Sequence, residues 1–148
     1  MTTSTQSFHD PVLDADVKIE GSGARTWCSF RKTFLPTKTS VSVMTNVEDG
    51  GVPQTQRDLI ATLEHGYTRG AHLIYEAIHK AMIADRNESV PLSREQIEKS
   101  FTLNMLNLHS TVPYADECTM RFSSGPHTSD WFIRVRRDYH VLSAVRGD

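Results

Sequence analysis

The sequence predicts an α+β domain in which helices pack on an antiparallel sheet, and three observations lead there. Short β-prone pieces with apolar residues two apart occupy residues 12–47 and again 101–145. Between them one long stretch repeats its apolar residues with the period of a helix. Ser93 followed three positions later by Gln96 has the spacing of a capping box, which starts a second, short helix. The expected arrangement is antiparallel β-meanders flanking a long central helix and a short second helix, with the helices packed on the sheet.

The first seven residues are rich in Ser and Thr and read as a frayed lead. Val17 and Ile19 then share one strand face, Trp27-Cys28-Ser29-Phe30 forms a second piece, and Val41, Val43 and Val47 form a third. Gly21-Ser22-Gly23 and Leu35-Pro36-Thr37 are the turns between them, giving a meander of three or four strands. Glu48-Asp49-Gly50-Gly51 ends this sheet segment, and Pro53 is placed to open a helix.

From Gln54 to Asp85, a turn of about 100° per residue gathers Leu59, Ile60, Leu63, Tyr67, Ile74, Ala77, Ile78 and Ala81 on one arc. Gly66 and Gly70 fall on that same arc. Each costs a helix about 1 kcal/mol relative to alanine, so a close neighbour must compensate or the helix must break near Gly66. One bent helix is the favoured expectation. The capping box opens a helix over residues 94–100. Phe101, Leu103 and Met105 alternate in one phase and Leu106 and Leu108 in the other, the mark of a bulge or of a strand covered on both faces. Cys118, Met120 and Phe122 share the next strand face, and Ser123-Ser124-Gly125-Pro126 turns the chain. Trp131, Ile133 and Val135 make another strand, and residues 139–145 the last.

A chain of 148 residues suits one domain. Its 18 acidic and 16 basic residues leave a net charge of −2, which argues against nucleic acid or an anionic membrane as the partner. The two cysteines, Cys28 and Cys118, form no Cys-x-x-Cys and read as buried free thiols of a reducing cytosol. The start lacks a basic, apolar signal segment, and no stretch approaches the ~18 apolar residues of a membrane span. A cytoplasmic protein without membrane association is expected.

Candidate chemistry is sparse. His65, His72 and His79 recur every seven residues opposite the apolar arc. Seven helical residues rise about 10.5 Å, far beyond zinc-ligand reach, so no metal is expected and these imidazoles read as a solvated face. No Gly-x-Ser-x-Gly occurs, no glycine-rich phosphate loop joins strand to helix, and neither cysteine has a catalytic flank. Asp14 and Asp16 read as edge-strand charges, and Arg134 and Arg136, with Phe132 beside them, as a solvated strand face. No catalytic residue and no cofactor is assigned, which leaves a binding or inhibitory surface.

The arrangement resembles small bacterial domains of unknown function that are encoded beside polymorphic or contact-delivered toxins, including type VI secretion effectors, and are regarded as immunity proteins. The likeness runs from about residue 8 to residue 147. It rests on Phe8-His9-Asp10-Pro11-Val12-Leu13, on Trp27, on Leu59, Ile60 and Leu63 of the long helix, on Leu92-Ser93-x-Glu95, and on closing strands that end in Gly147. Asp14 stands where the family commonly has glycine. The resemblance implies an inhibitor that binds a cognate toxin in the cytosol and occludes its active site without a cofactor. For a basic active site, the acidic pairs Glu48-Asp49 and Asp116-Glu117, expected outside regular structure, are the candidate partner-binding residues. A regulatory interaction module, or a small enzyme with a spatially assembled Cys/His site, is the alternative.

Overall fold

The computed structural model describes residues 6–22, 25–85, 92–108, 116–124 and 130–147. In chain order the elements are β1 (Gln6–Asp10), β2 (Ala15–Ser22), β3 (Arg25–Phe34), β4 (Thr39–Thr45), α1 (Gln54–Ala84), α2 (Arg94–Ser100), β5 (Thr102–Asn107), β6 (Glu117–Ser123), β7 (Asp130–Arg136) and β8 (Val141–Gly147). The α+β class is as expected. The meanders, however, do not flank the helices as separate units. All eight strands form one sheet in sequence order, joined through β4 and β5, which run parallel with Val43 opposite Leu106. The other neighbours are antiparallel. Two separate meanders would leave two additional open edges, and pairing β4 with β5 removes both. A parallel pair needs a long crossover, and α1 with α2 supplies it.

The strand count begins earlier than the frayed lead allowed: Gln6 and Ser7 pair with Ile19 and Lys18. Of the two readings of the phase switch in β5 the bulge is the one that forms, with a register shift between Leu103 and Met105; Met105 therefore leaves the face of Phe101 and Leu103 on which alternation placed it. The helix-facing side of the sheet carries the core, for example the buried row Phe30, Val43, Leu106, Met120 and Ile133 across five strands. Leu59, Ile60, Leu63, Tyr67, Ile74, Ile78 and Met82 bury the facing stripe of α1, and α2 adds Ile97. Ser93 caps α2 as its spacing predicts, accepting from the Gln96 amide at 3.2 Å while Gln96 Oε1 accepts from the Ser93 amide at 2.9 Å.

α1 is one continuous helix across Gly66, and what compensates its glycines is an aromatic ring. Tyr139 lies in the β7–β8 turn with a φ of 66°, not in the last strand as its neighbours' pattern predicted. That left-handed conformation, rare for an aromatic residue, belongs to a tight turn in which the Tyr139 amide donates to Arg136 O at 2.8 Å. The ring lies so close to α1 that a Cβ on Gly70 would stand 2.2 Å from Tyr139 Cγ. Its hydroxyl donates to the Leu63 carbonyl at 2.5 Å. Edge-to-face contacts at 6.1 Å with Tyr67, and from Tyr67 at 5.2 Å to Phe34, carry the packing on to the end of β3.

Polar contacts strap α1 to both edges of the sheet. Arg57 makes a two-pronged pair with Asp10, whose Oδ1 also accepts the Val12 and Leu13 amides of the β1–β2 turn, each at 3.0 Å. Glu64 pairs with Lys32 of β3 at 2.9 Å, and Asp85 with Arg146 of β8 at 3.3 Å. Gln56, 6% exposed, joins the ends of the parallel strands: its Oε1 accepts the Asn46 amide at 2.7 Å and its Nε2 donates to Leu108 O at 2.9 Å. The helix therefore holds the sheet as a stiff plate.

Candidate protein-binding face

The helices cover one face of the sheet, and the alternation of side chains defines the other. One outward row crosses all eight strands: Ser7, Lys18, Ser29, Met44, Asn107, Thr119, Arg134 and Ser143. A second runs from β3 to β8 through Arg31, Ser42, Met105, Arg121, Phe132 and Val145. None of these side chains is buried, and Val145 is 58% exposed. Eight strands of about seven residues span roughly 800 Å² in projection at the usual strand spacing and rise. That is about the area one partner contributes to a standard protein interface.

The central residues of this face are positioned by neighbours, not by chance. The β5 bulge turns Asn104 outward beside Met105, so β5 presents two consecutive side chains there. Asn104 Nδ2 donates to Ser123 Oγ at 2.6 Å, and its Oδ1 accepts from Arg121 Nε at 2.7 Å. Two strands from β5, on β3, Arg31 Nε donates to Ser40 Oγ at 3.2 Å. Arg31 also lines a depression of about 430 Å³ with Asp14, Asp16, Lys18, Ser29 and Ser42. At the far side, the Phe132 ring covers Gly147, where a Cβ would stand 2.2 Å from Phe132 Cε2. Over β2 to β7 the outward side chains described include Lys18 and four arginines (31, 121, 134 and 136) against four carboxylates, Asp16, Glu20, Glu117 and Asp130.

The four acidic candidates fall at the end of the sheet where β4 and β5 finish and β6 begins. Glu48 and Asp49 are exposed in a tight turn closed by a Glu48–Gly51 bridge, with Asp49 at φ 52° and Gly50 at φ 73°. Two consecutive positive φ values are what an Asp-Gly turn supplies. Asp116 lies in a turn and its carbonyl accepts the Arg137 amide at 2.9 Å. Glu117 is not outside regular structure: it opens β6, its side chain is 18% exposed, and one oxygen accepts both Arg134 Nε and Nη2, at 3.0 and 2.7 Å. The strand reaches Glu117 because the β6–β7 ladder extends to Arg136 opposite it. Arg134 is thus tied to Glu117, while Arg31 and Arg121, which the sequence reading left aside, stand at the centre. Their outward parity within Phe30-Arg31-Lys32 and Met120-Arg121-Phe122 was the signal.

Among the described residues the thiol and imidazole groups do not assemble into a reactive set. Burial raises the Cys28 thiol's pKa, with a hydrogen bond from Thr45 acting the other way. Burial pushes Cys118 up to about 12, and its Sγ donates to Thr119 O at 3.6 Å. Both are protonated thiols at neutral pH and weak nucleophiles. His65 and His72 are exposed on α1 and His79 is half-buried. His9 Nδ1 lies 3.0 Å from Asp16 Oδ1, an exposed contact on the β1–β2 hairpin. Among the described residues no three His, Cys, Asp or Glu side chains are grouped to hold a metal ion, and no helix is long and apolar enough to cross a membrane. His109 and His127, and the turn expected at 125–126, lie outside the described residues. Comparison of this chain with known protein families, curated proteins and solved structures finds no match.

Proposed function

We propose that this chain is an immunity protein: it binds a cognate bacterial toxin in the cytoplasm and neutralises it by covering the toxin's working surface. The observation that carries the reading is the face of the eight-stranded sheet that no described element covers, of interface size and backed by a helix pinned at both sheet edges. A stiff plate loses little conformational entropy on docking, which favours tight inhibition. Met44, Met105, Phe132 and Val145 supply apolar contact among polar neighbours, the mixture found in non-obligate interfaces. Glu48 and Asp49 stand exposed beyond the end of β4, where they would meet basic residues at the border of the partner's docking surface.

The test is co-expression with the toxin reading frame adjacent to the gene. Growth should be restored and the two proteins should co-purify. If growth stays arrested while this chain accumulates in folded form, the immunity reading fails.

A further inference from the structure

On the docking reading above, the chemistry of the open face defines its partner more narrowly. We propose that Arg31 and Arg121 are the anchor points of this face and that they receive carboxylates from an acidic protein surface.

The two arginines stand on either side of the cross-strand pair Ser42–Met105. Three strand spacings, about 14 Å, separate their backbones. Each is oriented through Nε by a neutral oxygen, Ser40 Oγ or Asn104 Oδ1, and among the described residues neither has a carboxylate within ion-pair distance. Their terminal Nη groups are thereby left for a bidentate carboxylate, and part of the ordering cost is already met. Arg134 differs, because Glu117 occupies it. The depression beside Arg31 is lined by Ser29 and Ser42 and, toward β2, by Lys18, Asp14 and Asp16, so the incoming carboxylate is taken on the Ser42 side, away from the two aspartates. Nucleic acid fits less well: the whole chain is at −2, and duplex binders neutralise about 6–10 phosphates with clustered cations. Met105 between the arginines and Phe132 beyond Arg121 also suit a protein surface.

The experiment follows backbone amide shifts of the intact chain during titration, at low ionic strength, with a synthetic 12-residue Glu/Asp peptide. A polylysine peptide of equal length and a 12-base-pair DNA duplex are titrated in parallel. The expected result is saturable shifts centred on Arg31, Ser42, Met105 and Arg121. Binding should weaken at least 10-fold in Arg31→Gln/Arg121→Gln, with the rest of the spectrum unchanged. Absent or scattered shifts, equal binding by the double variant, or tighter binding of the duplex at these residues would overturn the proposal. The peptide titration needs no toxin. A toxin complex that ignores the double substitution removes this inference and keeps the immunity reading; peptide binding without any toxin complex does the reverse.

Discussion

Replacing Gly70 with alanine should unfold the protein more easily even though alanine is the better helix former. The new Cβ would lie 2.2, 2.5 and 2.6 Å from Tyr139 Cγ, Cδ2 and Cβ. These atoms are the root of the side chain, so no swing of a flexible tip relieves the clash. Forcing the turn away from the helix costs about 1–3 kcal/mol, as overpacking does. Expelling the ring instead forfeits about 3–5 kcal/mol of aromatic burial, together with the hydroxyl's bond to Leu63 O. Helix propensity returns about 1 kcal/mol. The cheaper of the two routes sets the outcome, so the net expectation is a loss of up to about 2 kcal/mol, or up to roughly 8 °C in Tm for a chain of this size.

Gly66 is the internal control. A Cβ there meets Tyr139 Cε2 at 3.4 Å, an ordinary contact with a ring edge, so Gly66→Ala should be neutral or stabilising by up to about 1 kcal/mol. Urea denaturation followed by tryptophan fluorescence measures both. In a Tyr139→Gly background, which removes Cβ as well as the ring and suits the φ of 66°, the Gly70→Ala cost should vanish, because the two residues act on the same space. A Gly70→Ala protein as stable as Gly66→Ala, or an undiminished cost without the Tyr139 ring, would refute the explanation.

Asp10, its side chain 4% exposed, is held by the Arg57 guanidinium at a pKa of about 2 instead of 3.8. The depressed value means stability that is present above about pH 4 and lost as the pH falls toward 2, worth about 2 kcal/mol. Asp10→Asn should therefore cost at least that at pH 7 and converge on wild type near pH 2 in pH-dependent urea titrations. Gln56→Leu keeps the volume but removes the bonds to Asn46 N and Leu108 O. A loss of about 1–3 kcal/mol is expected, with faster hydrogen exchange at the Asn46 amide. The thiols of Cys28 and Cys118, both buried, should resist a disulfide reagent for minutes in buffer and react at once in denaturant. Rapid labelling of either in the native protein would show a more open core than described.

Local signals in the sequence located nearly every element, because strand and helix periods and caps act over a few residues. The span of α1 and the capped α2 follow from such patterns at Leu59–Ala81 and Ser93–Gln96, and the β5 bulge is one of the two forms that the phase switch near Met105 allowed. The joining of the meanders was not legible: Val41 and Val43 alternate identically whether their neighbour is parallel or antiparallel. Tyr139 was read as strand since its apolar neighbours continue the pattern, whereas a positive φ leaves no trace in periodicity. The glycines did announce a close approach but not what approaches. Of the candidate face, Glu117 was misplaced because a charged pair beside a turn looks alike inside or outside a ladder. Arg31 and Arg121 carry meaning only once neighbouring strands set them beside Ser42 and Met105.

For the proposed immunity role, the most direct measurement is a calorimetric titration of this chain with the product of the reading frame adjacent to its gene, using wild type and Arg31→Glu/Arg121→Glu. The account expects a one-to-one complex of nanomolar or tighter Kd, weakened at least 100-fold by the double reversal while Tm is unchanged. No heat of binding with wild type would contradict the immunity role, and the same affinity after reversal would contradict the arginine anchors.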